Sequence, residues 1–173
     1  MPTTFSDPAF ADVVQGSLLS NACSPEIEGG DFRGLRIAAP EVVTYAPGDF
    51  DPITGAFARV IVCGTYRLDF TTLGLNGDFV ESIVLIAVDE ARRETFSGRM
   101  VTVENRIPPP DFGDGLEPAD FAGDVITGYF NPNLAVVLGL PERPADYVVY
   151  AVLGPYESNR VRLSVREAAA VTP

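Results

Sequence analysis

From Phe32 onward the apolar residues recur with a period of two, in short runs broken by Gly, Pro, Asn and Asp. Between the runs, no stretch reads as a helix long enough to carry a parallel crossover. Residues 59–70 state the pattern most clearly. Ala58, Val60, Val62, Tyr66, Leu68 and Phe70 share one face, and Arg59, Thr65, Arg67 and Asp69 share the other. Residues 160–166 alternate more strictly, with Val161, Leu163 and Val165 inward and Arg160, Arg162, Ser164 and Arg166 outward. Residues 83–88 and 147–153 are continuous apolar runs, as expected of central strands covered on both faces. Weaker strands are predicted at 35–39, 41–45, 95–104, 125–130 and 134–138. The 16 Gly and 15 Pro supply the turns, notably at 153–159 and at 74–78, where Asn76-Gly77 is the best turn dipeptide in the chain. Ile107-Pro108-Pro109-Pro110 reads as a stiff spacer, because proline cannot join a ladder. The fold class that follows is all-β: an antiparallel sandwich of about seven to nine strands over residues 32–173. A chain of 173 residues buries about two thirds of its unfolded surface, enough for a core without staples.

Residues 1–31 look different and read as an arm. Ser6 is placed to cap a short helix over 7–15, with Pro8 in its first turn, Phe5 stapling Phe10, and Gly16 ending it. Val13, Val14, Leu18 and Leu19 extend its apolar side. Two placements are open: the arm caps the open end of its own sandwich, or it inserts into a neighbour.

What the chain lacks narrows the chemistry. It has no His, and all 12 of its basic residues are Arg. That removes Ser-His-Asp and Cys-His catalysis, HExxH zinc sites, the P-loop lysine and Schiff-base chemistry. Carboxylate-based hydrolysis survives the filter, but no cleft-building signal accompanies any pair of acids, and Trp is absent. The net charge of −12 argues against nucleic acid as a partner and against adsorption to anionic lipid. No run reaches the roughly 18 apolar residues of a membrane span, so no membrane insertion is expected. The first residues lack a secretory pattern, so the expected location is the cytoplasm or an assembly released by a non-Sec route. On that basis Cys23 and Cys63 are expected as free thiols. A disulfide is open to them if the arm packs over the strand face that carries Cys63.

Leu140-Pro141-Glu142-Arg143-Pro144-Ala145-Asp146-Tyr147-Val148-Val149-Tyr150-Ala151, followed by Ser158-Asn159-Arg160-Val161-Arg162-Leu163, resembles the closing hairpin of bacterial immunoglobulin-like or fibronectin-type sandwiches. Residues 81–96 resemble a middle hairpin of the same class. The resemblance implies a sandwich, a corner position for Tyr147, and a tendency to bind or assemble. It carries no catalytic residues.

Three features are candidate sites. Asp111, Asp114, Glu117 and Asp120 place four carboxylates within ten residues of a Gly-containing loop, a set that could wrap Ca²⁺; no other cofactor is expected. Arg160, Arg162 and Arg166 form a basic stripe on an acidic protein; it either pairs with acids on neighbouring strands or meets another copy. Phe5, Phe10, Val13, Val14 and Leu18 give the arm an apolar surface for contact. The expected function is a non-enzymatic structural subunit that packs into a larger assembly (a filament, virion or surface layer) with copies of itself or other subunits as partners. The alternative is a module that holds Ca²⁺ or a glycan on acidic loops at one end of the sandwich.

Overall fold

The computed structural model describes residues 3–70, 79–100, 120 and 122–169. Among these residues, ten strands occupy Thr4–Phe5 (β1), Gly34–Ala38 (β2), Val42–Tyr45 (β3), Cys63–Asp69 (β4), Val84–Asp89 (β5), Glu94–Arg99 (β6), Val125–Phe130 (β7), Ala145–Leu153 (β8), Tyr156–Glu157 (β9) and Val161–Glu167 (β10). They form a seven-stranded sheet in the order β1-β3-β10-β8-β5-β6, with β9 also paired to β8, and a three-stranded sheet in the order β2-β4-β7. The fold is all-β, as the alternation predicts.

Three expectations need correction. The larger sheet is mixed: β3 runs parallel to β10, pairing Val42 with Ser164 through Tyr45 with Glu167. The cause is the short link 39–41 between β2 and β3. Pro40 has no N–H to offer a ladder, and here the chain leaves the small sheet and joins the large one. Residues 134–138 were expected as a strand, but Leu134–Val137 is a helical turn (α1). Asn133 caps it by accepting from the Ala135 amide at 3.1 Å, and Gly139 in the left-handed region follows it (φ 59°). A short buried apolar run looks the same in either state. The helix expected over 7–15 shrinks to a 3₁₀ turn, Pro8–Phe10, capped by Asp7 rather than Ser6. Beyond it the backbone is taken by Asn131, whose carbonyl accepts from Gly16 at 2.6 Å.

The main core lies between the sheets. Tyr66, Leu68 and Phe130 from the small sheet join Leu85, Ala87, Tyr147, Val149, Ala151, Leu163 and Val165 from the large one. Two glycines make this packing fit. Gly64 faces Phe130 across the β4–β7 ladder, and Tyr66 faces Gly128. A Cβ on Gly64 would lie 2.1 Å from the Phe130 ring, and one on Gly128 would lie 2.1 Å from the Tyr66 hydroxyl oxygen. Each ring therefore lies across the backbone of its cross-strand neighbour, and no side chain larger than hydrogen fits beneath. Asn159 protects the free edge of β2: its side-chain amide donates to the Ile37 carbonyl and accepts from the Ile37 N–H, both at 2.9 Å.

Gly64→Ala is expected to destabilise the protein by about 1–3 kcal/mol through overpacking, measured by guanidinium unfolding. Wild-type stability would show that the ring has room to move.

Candidate interaction surfaces

The N-terminal segment lies over the outer face of the small sheet. Phe10 and Val13 are buried there with Cys23, Ile61 and Cys63, and Phe5, Ala9 and Ala38 pack alongside. This second core explains why β4 is buried on both faces over its first half: Cys63, Gly64, Thr65 and Tyr66 are all buried. Leu18 packs partly buried against the main core. Val14 and Leu19 point outward, 61% and 62% exposed. The apolar residues read from the arm thus divide between self-packing and the surface.

Polar contacts fasten the segment along its length. β1 pairs with β3. The Arg59 guanidinium donates to the Ala11 and Val13 carbonyls at 3.0 and 2.6 Å and lies 5.8 Å from the centre of the Phe5 ring. The buried Asn131 donates its side-chain N–H groups to the carbonyls of Ser17 and Leu19. Asn133, besides capping α1, donates to Gln15 Oε1 at 2.9 Å. Cys23 and Cys63 form a disulfide, so the expectation of free thiols is corrected. The arm does pack over the face that carries Cys63, and that brings the two sulfurs together. Closing a loop over a separation of 40 residues is worth about 4 kcal/mol in the chain-entropy account.

The arginine stripe is paired within its own sheet and the adjoining turns. Arg160 contacts Glu157 at 3.0 Å and lies 4.4 Å from the centre of the Tyr150 ring. Arg162 reaches Glu90 at 3.4 Å, with its side chain 82% exposed. Arg166 binds Asp146, which also accepts from the Ser164 hydroxyl at 2.5 Å. The Ser164 hydroxyl and then Arg166 hold the Asp146 carboxyl below its ordinary range. Such exposed pairs each contribute about 0.2–1 kcal/mol.

Beside this stripe lies a feature that alternation alone does not reveal. On the face of the large sheet turned away from the core, β5 presents Val84, Ile86 and Val88, and β8 presents Val148, Tyr150 and Val152. Register stacks them directly: Val84 opposite Val152, Ile86 opposite Tyr150, Val88 opposite Val148. All six are half-buried, and none belongs to the main core or packs against it. The continuous apolar runs predict strands covered on both faces, yet among the described residues only the inner face meets that core.

Asp89, at the end of β5, is fully buried. It accepts from the Arg92 backbone N–H at 3.1 Å and from its guanidinium at 2.9 Å, with Arg143 at 3.8 Å. Burial pushes its carboxyl up, but these hydrogen bonds and charges outweigh burial and hold it below the ordinary range.

Of the acidic loop, Asp111, Asp114 and Glu117 lie outside the described residues, and Asp120 is exposed. Among the described residues no group of three or more acidic or thiol side chains gathers to hold a metal, and no helix is long and apolar enough to cross a membrane.

Two outcomes follow. Replacing both cysteines with Ala is expected to lower the unfolding free energy by about 2–4 kcal/mol; a loss below about 1 kcal/mol in guanidinium unfolding would contradict a structural disulfide. A carboxyl whose pKa is depressed on folding stabilises the native state above its unfolded pKa, and the contribution fades as pH falls through the native value. Stability should therefore drop below about pH 4, and Asp89→Asn should lose about 1–3 kcal/mol at pH 7 while flattening that acid limb. An unchanged limb would remove Asp89 from the account.

No protein-family model and no curated protein matches this chain.

Proposed function

We propose that this chain is a non-enzymatic interaction subunit that associates with further copies of itself through the outer face of the seven-stranded sheet. The observation carrying the proposal is the stacked block Val84, Ile86, Val88, Val148, Tyr150 and Val152 on that face. A sheet with one solvated face normally alternates apolar and polar residues, and the paired strands β5 and β8 do not. The rim supplies both signs of charge: Arg162 with Glu90, Arg160 with Glu157, Arg166 with Asp146. A surface that carries both signs around an apolar centre is complementary to itself, as a two-fold contact requires. Six strands spaced about 4.8 Å apart and about six residues long span roughly 29 by 20 Å. That face, about 580 Å², falls below the ~800 Å² that each partner contributes to a standard interface, so the contact is of the smaller, reversible kind.

The finer architecture favours the same reading. The order β10-β8-β5-β6 against β2-β4-β7, with β3 parallel to β10, matches an immunoglobulin-like arrangement in which GFCC′ faces ABE. Tyr147, buried near the start of β8 and edge-on to Phe96 at 6.1 Å, supports the corner role that the resemblance implies. The Cys23–Cys63 disulfide supports a working environment that is oxidising.

Sedimentation equilibrium over a concentration series tests the proposal. The wild type is expected to associate reversibly, and Ile86→Glu to stay monomeric at every concentration with an unchanged melting temperature. A wild type that remains monomeric, or an Ile86→Glu variant that associates as well as wild type, would overturn it.

A further inference from the structure

A second surface carries chemistry that association does not use. Between the N-terminal segment and the outer face of the small sheet lies a cleft of about 570 Å³, within the usual range for small-ligand sites. Its floor is a two-by-two block on β4 and β7, with Thr65 opposite Tyr129 and Arg67 opposite Thr127. Its wall is the segment 20–27, which brings Ser20, Asn21, Ser24 and Glu26 to the same space. The disulfide anchors that wall, since Cys63 precedes Thr65 by two residues on the same face of β4.

Two groups on the floor lack partners. Thr65 is 3% exposed and its hydroxyl makes no hydrogen bond. Arg67 Nε is buried and likewise unpartnered; its guanidinium reaches only the Gly29 carbonyl, at 3.3 Å. Buried polar groups without partners are rare, and each calls for an explanation. The arginine is the more telling of the two. In a chain with 24 acidic residues and 12 arginines, neighbouring Arg33 has Asp69 at 2.6 Å, while Arg67 has no carboxylate within ion-pair reach among the described residues. Glu26 borders the cleft without bridging to it.

We infer that this cleft binds a monocarboxylated, hydroxyl-bearing ligand of the sugar-acid class. The planar guanidinium fork of Arg67 suits a carboxylate. Thr65, Thr127, Ser20 and Asn21 line the same cleft and offer hydroxyl and amide groups to a polyol's hydroxyls. The Tyr129 ring supplies an apolar face of the kind on which a pyranose packs. Glu26 on the wall is an acceptor for ligand hydroxyls.

Calorimetric titration of the intact, oxidised protein with D-glucuronate tests this, with D-glucose and acetate as comparators. Saturable binding of glucuronate is expected at a Kd of about 1 mM or tighter, with glucose and acetate each at least about tenfold weaker. Arg67→Gln should abolish binding. Thr65→Val should weaken it about tenfold while leaving the melting temperature at or above wild type, because an unsatisfied buried hydroxyl is replaced by an isosteric methyl. No saturable heat with glucuronate, acetate binding as tightly as glucuronate, undiminished binding by a folded Arg67→Gln, or a melting temperature lowered by Thr65→Val would each overturn the assignment.

Discussion

The small sheet is covered twice, and the rest of the structure depends on that. Three strands cannot bury two faces by themselves; β4 has the large sheet beneath it and the N-terminal segment above it. The outer cover is held by the Cys23–Cys63 bond, the β1–β3 ladder, and carbonyls bound by Arg59 and Asn131. These contacts bring residues far apart in the chain to one layer. The layer in turn creates the cleft, because its wall and floor meet only where the segment crosses β4 and β7.

The two sheets meet solvent differently. The small one has its outward face occupied by the chain itself, with Phe10 and Val13 sunk beside Ile61. The large one presents valines, an isoleucine and a tyrosine on its outward face, bordered by ion pairs. Apolar burial therefore stabilises the fold on one side, and on the other it is what the proposed association would use. That division accounts for the arm's modest exposed remainder, Val14 and Leu19, beside a broader apolar block on β5 and β8.

Much of this was legible in the residues. The strict alternation of 160–166 and the mixed-face pattern of 59–70 correspond to β10 and β4, and 125–130 is β7 to the residue. The continuous runs signalled two covered faces in β5 and β8, and half of that signal is met by the core. The parallel β3–β10 pairing was not legible, because it depends on where a three-residue link aims the chain and not on any pattern within β3. The Leu134–Val137 turn was hidden because its helical state rests on an Asn133 cap and a left-handed Gly139, while its apolar run fits either state. The cleft was invisible for another reason. Thr65 and Arg67 read as ordinary solvent-face residues, and only the overlying segment turns them into a floor. The disulfide was likewise conditional on that placement.

Amide hydrogen exchange of the oxidised protein tests the double covering most directly. The Gly16 N–H, which donates to Asn131, and the amides of β4 should be protected together, exchanging only with global unfolding. Exchange at Gly16 near the rate of an unstructured peptide, while β4 stays protected, would mean that the outer layer is not part of the folded unit.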